Sequence, residues 1–206
     1  MVREPASTLL PPTSPATPAP HRLLIGRRGM VPTGANVIWK IQSGLVRSST
    51  WGEEGDMISL GLWGPGDLIG RPLSCLDPYE LECLTAVEVV AVSDPALESH
   101  ESLVRSLRYT ERLLSITRLR RAEAKLASLL GWIGERFGQP GATGWEIDLR
   151  RIPLTHPVIA ELSGSTRVTT TRLLGEFRQA GRIHRRDRAL IVRYPETLYP
   201  PARLSA

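Results

Sequence analysis

Residues Leu154–Pro195 read LTHPVIAELSGSTRVTTTRLLGEFRQAGRIHRRDRALIVRYP. Thr155 is a good helix N-cap, and Pro157 falls in the first turn, where its missing N–H costs little. Val158, Ile159 and Leu162 give this short helix one apolar face, and Gly164 is placed to end it as a C′ glycine. Ser165 or Thr166 caps the next helix. On that helix Leu173, Leu174 and Phe177 face inward, and Val168 faces either inward or out. Arg167, Thr169, Thr170 and Arg172 lie at or near its N-terminal end and largely outward. Two short helices joined by a Gly-containing turn form a helix-turn-helix. In that motif the second helix lies in the major groove of DNA, with its N-terminal residues toward the bases.

The side chains suit that position. Arginine donates two parallel hydrogen bonds to guanine O6 and N7, and threonine offers a methyl to thymine and a hydroxyl to phosphate. RIHRRDRALIV then makes a hairpin carrying Arg182, Arg185, Arg186 and Arg188, a wing suited to the phosphate backbone. Taken singly, the wing reads as a solvated charged turn, and Arg167 and Arg172 as surface ion-pair partners. All three elements in sequence favour DNA. The expected contacts are Ser165, Thr166, Arg167, Val168, Thr169, Thr171 and Arg172, with Arg185 and Arg186 on the wing.

Charge is distributed to match. Residues 1–100 hold 7 Lys/Arg against 11 Asp/Glu, residues 101–144 hold 8 against 4, and residues 145–206 hold 11 against 6. An acidic front and a basic back predict two domains, the back one meeting a polyanion. Residues 1–20 are rich in Pro, Ser, Thr and Ala and predict a disordered tail. Residues 21–95 carry short β-type runs between Gly and Pro, as in NVIWKIQSGLVRSSTW, and predict a sandwich or small barrel. Ser43-Gly44 reads as a hairpin turn, and the glycines of GPGDLIG as tight corners.

Over 96–137 the period changes. Pro95 is placed to open a helix, and the stretch to Phe137 has no further proline. Leu126, Leu130, Ile133 and Phe137 are spaced 4, 3 and 4, a seam pattern. One helix this long has little of its own chain to cover it, so a second copy is the expected partner. An amphipathic helix packed on the β domain is the alternative. Gln139–Gly144 is a breaker cluster, and WEIDLRRIPL reads as a short strand.

LTHPVIAELSGSTRVTTTRLL, with Ser165-Thr166-Arg167 and Thr169-x-x-Arg172 at the recognition positions, resembles the winged helix-turn-helix of the CRP/FNR (catabolite activator) family of bacterial transcription regulators. It is most similar to the cyanobacterial nitrogen-control branch, which has a similar STRVT-x-TRLLG stretch. IQSGLVR and GPGDLIG resemble the family's β-roll turns. The resemblance implies an α+β fold: an N-terminal cyclic-nucleotide-binding-type β-roll (21–95), a long dimerisation helix (96–138) and a C-terminal winged helix-turn-helix (145–206). It also implies a cytoplasmic homodimer on double-stranded DNA, an inverted-repeat site with half-sites near GTA and TAC, and RNA polymerase as a partner if the protein activates.

Cyclic-nucleotide-binding members resemble one another in a Gly-Glu pair for the ribose and an Arg-Ser pair for the phosphate. Here the matching stretch is Gly70-Arg71-Pro72, then LSCLDPYELECLTA, without the Glu or the Arg-Ser pair. A cyclic phosphate would lose its charge-assisted partner, so cAMP is not expected. The nitrogen-control branch is implied to hold 2-oxoglutarate with arginines of the β-roll and long helix, but the β-roll arginine expected near residues 79–83 is missing. Gly70, Arg71, Arg120 and Arg121 are the candidate contacts for a small anionic effector. A simply exposed Arg71 and a constitutive dimer stay open.

No nucleophile–base–acid set stands out, so no catalytic residue is assigned and the chain is not expected to be an enzyme. Cys75 and Cys83 cannot complete a four-cysteine cluster, and the four histidines have no ligand spacing, so no metal or cofactor is expected. The alternative is a cupin-like small-molecule-binding or metal enzyme with a basic tail. It needs a His-rich ligand set, and the β region holds only His21, at its edge. No run of apolar residues is long enough to span a membrane.

Overall fold

A computed structural model describes residues 21–34, 36–92 and 100–194. The expected tail over 1–20 and the helix start at Pro95 lie outside the described residues. Among the described residues the front of the chain forms seven strands: β1 (Arg22–Ile25), β2 (Trp39–Ser43), β3 (Val46–Trp51), β4 (Met57–Trp63), β5 (Leu68–Ile69), β6 (Glu80–Cys83) and β7 (Val87–Ala91). They make two antiparallel sheets, ordered β1-β7-β2-β5 and β4-β3-β6. Alternation along β2 buries Trp39 and Ile41 and leaves Lys40 half-buried. They pack with Val46, Trp63, Leu81 and Val89 in one apolar cluster. The Trp63 indole N–H enters that cluster satisfied, donating to Ser48 Oγ at 2.8 Å.

Ser43-Gly44 is not a hairpin turn. β2 pairs with β7 and β5, whereas β3 pairs with β4 and β6, so the chain crosses here from one sheet to the other. Gly44 has φ 88°, and a Cβ there would stand 2.2 Å from the Ala86 carbonyl oxygen. GPGDLIG does form corners. The Gly64 amide donates to Asp67 Oδ2 at 2.7 Å, so the carboxylate of its own loop already occupies it.

The helix expected to run unbroken through 96–137 is divided. α1 (His100–Thr117) stops before Arg118, and α2 (Ala122–Phe137) begins after Arg121, whose backbone is extended (φ −90°, ψ 126°). Burial explains the break. α1 is apolar on one side, with Leu113 and Ile116 inward. α2 is buried almost all round, from Ala124 and Leu126 to Ile133 and Gly134. A straight continuation of α1 would leave part of that surface in water; the bend turns it into the core. The 4-3-4 spacing of Leu126, Leu130, Ile133 and Phe137 is therefore an intrachain core pattern and not a free seam: the first three are 2%, 0% and 0% exposed, and Phe137 packs against the same cluster.

The rest is α3 (His156–Ser163), α4 (Arg167–Gln179) and a small sheet of β8 (Gln139–Pro140), β9 (Gly144–Asp148), β10 (Ile183–Arg186) and β11 (Ala189–Arg193), ordered β10-β11-β9-β8. Its core is continuous with the front of the molecule. Leu45, Leu62 and Leu84 share one cluster with Leu129 and Ile133 of α2, Leu162 of α3, and Leu174 and Phe177 of α4.

A charged group sits where these parts meet. The Arg136 guanidinium, on α2, donates to Asp67 and to the Leu62 carbonyl. It lies 3.6 Å from the ring centre of Tyr109 on α1 and 4.6 Å from that of Phe137. Arg105, also on α1, donates to the Gly66 carbonyl at 3.0 Å. Burial pulls Arg136 below the usual arginine value, and Asp67 opposes that shift. Both side chains are about one-twentieth exposed. Removing one partner would leave the other charge buried alone. Asp67→Ala is expected to cost ~3–5 kcal/mol in denaturant unfolding. Unaltered stability would show that the pair is not the junction between the parts.

Candidate nucleic-acid interface

Local chemistry builds the helix-turn-helix as its sequence suggests. The Thr155 hydroxyl accepts from the Val158 amide at 3.4 Å at the start of α3. Gly164 ends α3 in the left-handed region, φ 58° and ψ 44°, and its N–H returns to the Ala160 and Glu161 carbonyls. Of the two residues that could cap α4, Thr166 does so: its hydroxyl accepts from the Thr169 amide at 3.2 Å. Ser165 is half-buried in the turn.

The inner face of α4 is Thr170, Leu173, Leu174 and Phe177, all buried. Thr170 thus belongs to the packed face and not to the outward set in which the sequence placed it. Val168 resolves outward, 79% exposed. With Arg167, Thr171 and Arg172 it lines an open depression of about 530 Å³. Arg172 is tied to Glu176 one turn along the helix, which orients its guanidinium along the face. Arg167 is exposed and forms no ion pair among the described residues. Thr169 is half-buried and Thr171 exposed; the Thr171 hydroxyl is 2.9 Å from Nδ1 of His156 on α3. That bond fixes the two helices to one another at the exposed surface, and nothing in the spacing of His156 announces it.

β10 and β11 form the expected wing, with Arg186 opposite Ala189 and the turn at Asp187, φ 51°. Arg185 and Arg186 are both exposed on it. Arg182, at its base, pairs with Glu123 of α2 and is a packing residue.

The effector residues are not gathered into one site. Gly70 and Arg71 open a short 3-10 turn, where Arg71 donates to the Leu76 carbonyl and lies 3.8 Å from Asp77. Arg120 and Arg121 stand exposed in the α1–α2 connection, with no hydrogen bond or ion pair to Arg71 among the described residues. Cys75 is exposed; Cys83 is buried, and burial pushes its thiol up to about 11. Among the described residues no group of three His, Cys, Asp or Glu could hold a metal ion, and no helix is long and apolar enough to cross a membrane.

Residues 124–199 match the Crp-like helix-turn-helix domain family. The chain is 31% identical over 182 residues to the global nitrogen regulator of Nostoc sp., covering 80% of each. It is 29% identical to the global nitrogen regulator of Synechocystis sp., covering 80% of this chain and 79% of the relative. In fold it is similar to FixK2 from Bradyrhizobium japonicum, with a TM-score of 0.69, 17% identity, and 87% of this chain and 95% of that chain covered. The family match begins inside α2, which agrees with the packing of that helix into the C-terminal core.

The cap at the start of α4 positions every outward residue of that helix. Thr166→Ala is expected to destabilise the protein by about 1 kcal/mol in denaturant unfolding, with Thr166→Ser close to wild type. Equal stability of all three proteins would contradict the capping role.

Proposed function

This chain belongs to the CRP/FNR family of DNA-binding transcription regulators, and from that premise we propose that it acts as a homodimer on an inverted-repeat site read by α4. The outward face of α4 carries this reading: a capped helix N-terminus presents Arg167, with no ion pair among the described residues, beside a 79%-exposed Val168. Val168 packs on a thymine methyl, and Arg167 and Arg172 meet guanine and phosphate, which suits half-sites near GTA and TAC. Ser165, Thr166, Thr169 and Thr171 supply hydroxyls around them, and Arg185 and Arg186 lay the wing on the backbone. Double-stranded DNA, a second copy of the chain and, for an activator, RNA polymerase in the cytoplasm are the partners in this reading. A small anionic effector would fall to Gly70 and Arg71 together with Arg120 and Arg121, through a rearrangement that frees Arg71 from Asp77.

The dimer surface is α1. Leu107 and Leu114, seven residues apart, are 59% and 57% exposed, and Leu103 and Val104 extend the stripe. A second α1 packed on this stripe would cover it, and the two copies of α4 would then engage successive major grooves about 34 Å apart. Replacing Leu107 and Leu114 together by Glu is expected to yield folded monomers in sedimentation and to weaken site-specific binding, since two half-sites are no longer engaged together. A wild type that sediments as a monomer at micromolar concentration would overturn the dimer.

Base reading is tested by selection from a random duplex library. Arg167→Ala is expected to lose ~1–3 kcal/mol on the selected site and much less on random DNA. Val168→Glu should shift preference away from thymine at one position of each half-site, because a carboxylate accepts from cytosine and a valine cannot. Recovery of one unchanged motif from wild type and both variants would remove α4 as the reading element.

A further inference from the structure

Arg47 lies in β3, and the alternation of the strand decides where it points. Val46 enters the strand layer's own core with Trp63 and Leu81, and Arg47 faces the other way, toward α3. Its guanidinium is shared. One end donates to Glu82, directly opposite on β6, and the other pairs with Glu161 of α3. The Arg47 side chain is 8% exposed and that of Glu161 28%, so solvent screens this ion pair only lightly. The two carboxylates differ in what they hold. Glu82 binds Arg47 within the strand layer. Glu161 binds it across a boundary, one residue before the buried Leu162, on the helix whose His156 meets Thr171 of α4.

Arg136 and Asp67 already fix α2 to the strand layer. One fixed point leaves a body free to pivot about it, and apolar packing is not directional. The Arg47–Glu161 pair is a second, directional point on the same body. Together the two points hold α3, and α4 upon it, at one angle to the strand layer. In a dimer that angle sets how far apart, and in what rotation, the two copies of α4 lie. Each base pair inserted between half-sites moves one of them by about 3.4 Å and turns it by about 35°. An ion pair is lost once its atoms part by about 2 Å, so a reading unit that follows such a step loses the pair. We propose that Arg47 and Glu161 are positioning residues for DNA reading: without touching DNA, they set the number of base pairs the protein accepts between its two half-sites. This rests on the homodimer and the inverted repeat read by α4, and adds to that reading the contact that selects the spacing.

Duplexes that carry the selected half-sites at the preferred spacing, one base pair closer and one base pair farther apart are titrated by fluorescence anisotropy, beside a duplex with a single half-site. Wild type is compared with Glu161→Ala, Glu161→Gln and Glu82→Gln. Wild type is expected to favour one spacing. In the alanine protein that preference should narrow by about fivefold for each subunit that must shift, which is what one ion pair at the upper end of the exposed range contributes. The half-site sequence recovered by selection should stay the same, because no residue of α4 is altered. Glu161→Gln keeps the shape of the side chain and one acceptor oxygen; it should fall between the two, and it carries the test if the alanine protein does not fold. Glu82→Gln is the control for stability. It weakens the hold on Arg47 inside the strand layer, should lower the midpoint of denaturant unfolding, and should keep the wild-type spacing preference. A wild type indifferent to spacing, or a preference unchanged in the folded Glu161 variants, would overturn the proposal. An equal narrowing in Glu82→Gln would do so too, by making the effect one of stability. A wild type that binds the full repeat no more tightly than a single half-site would defeat the dimeric reading itself, a result distinct from these.

Discussion

The Arg136 guanidinium holds three parts of the molecule to one point. It comes from α2, its carboxylate partner Asp67 from the β-roll, and the aromatic ring over it, Tyr109, from α1. A buried charge tolerates little displacement, since each broken hydrogen bond leaves desolvation uncompensated. An apolar contact at the same place would permit sliding. The loop that supplies Asp67 is shaped for the task, with the Gly64 amide on one carboxylate oxygen and Arg105 facing the other. Burial of the apolar surface of α2 sets the bend, and this joint fixes the register in which α1, α2 and the strand layer meet.

A second charged contact works beside it. Arg47 on β3 is only 7% exposed and pairs with Glu82 on its neighbouring strand β6 and with Glu161 on α3. α3 is the helix that packs against α4 and that His156 fixes to it. The β-roll therefore touches the reading unit twice, once through α2 and once through α3. A continuous apolar core runs beside both contacts and joins the strand layer to α2, α3 and α4.

Legibility in the sequence follows the range of the interactions. The helix-turn-helix is readable because its signals are local: Thr155 and Thr166 cap with their own side chains, and Gly164 takes the left-handed conformation that its lack of a Cβ permits. The wing is readable for the same reason. The break at residues 118–121 is not, because no glycine or proline marks it. Two apolar patterns that look alike in one dimension are buried by different neighbours, and only the fold shows which neighbours. Ser43-Gly44 misleads in a similar way: a turn within a sheet and a crossing between sheets demand the same residue. Thr170 lies one helical position from the outward set, and only the packing of α4 shows which side of that line it falls on.

The Arg47–Glu161 pair also bears on how freely such a protein is assembled from parts. The Crp-like match starts at residue 124, which invites treatment of everything after the bend as a transferable cassette. α3, however, serves two masters: one side packs against α4, and Glu161 answers an arginine that lies far back in the chain, on β3. A reading unit grafted from another source would carry its own residue at that place. If it were apolar or basic, Arg47 would be left buried with Glu82 alone to balance it. The scaffold beneath the outward positions of α4 is thus tied to the strands it rests on, and a graft that ignores Glu161 unbalances a charge two domains away in sequence.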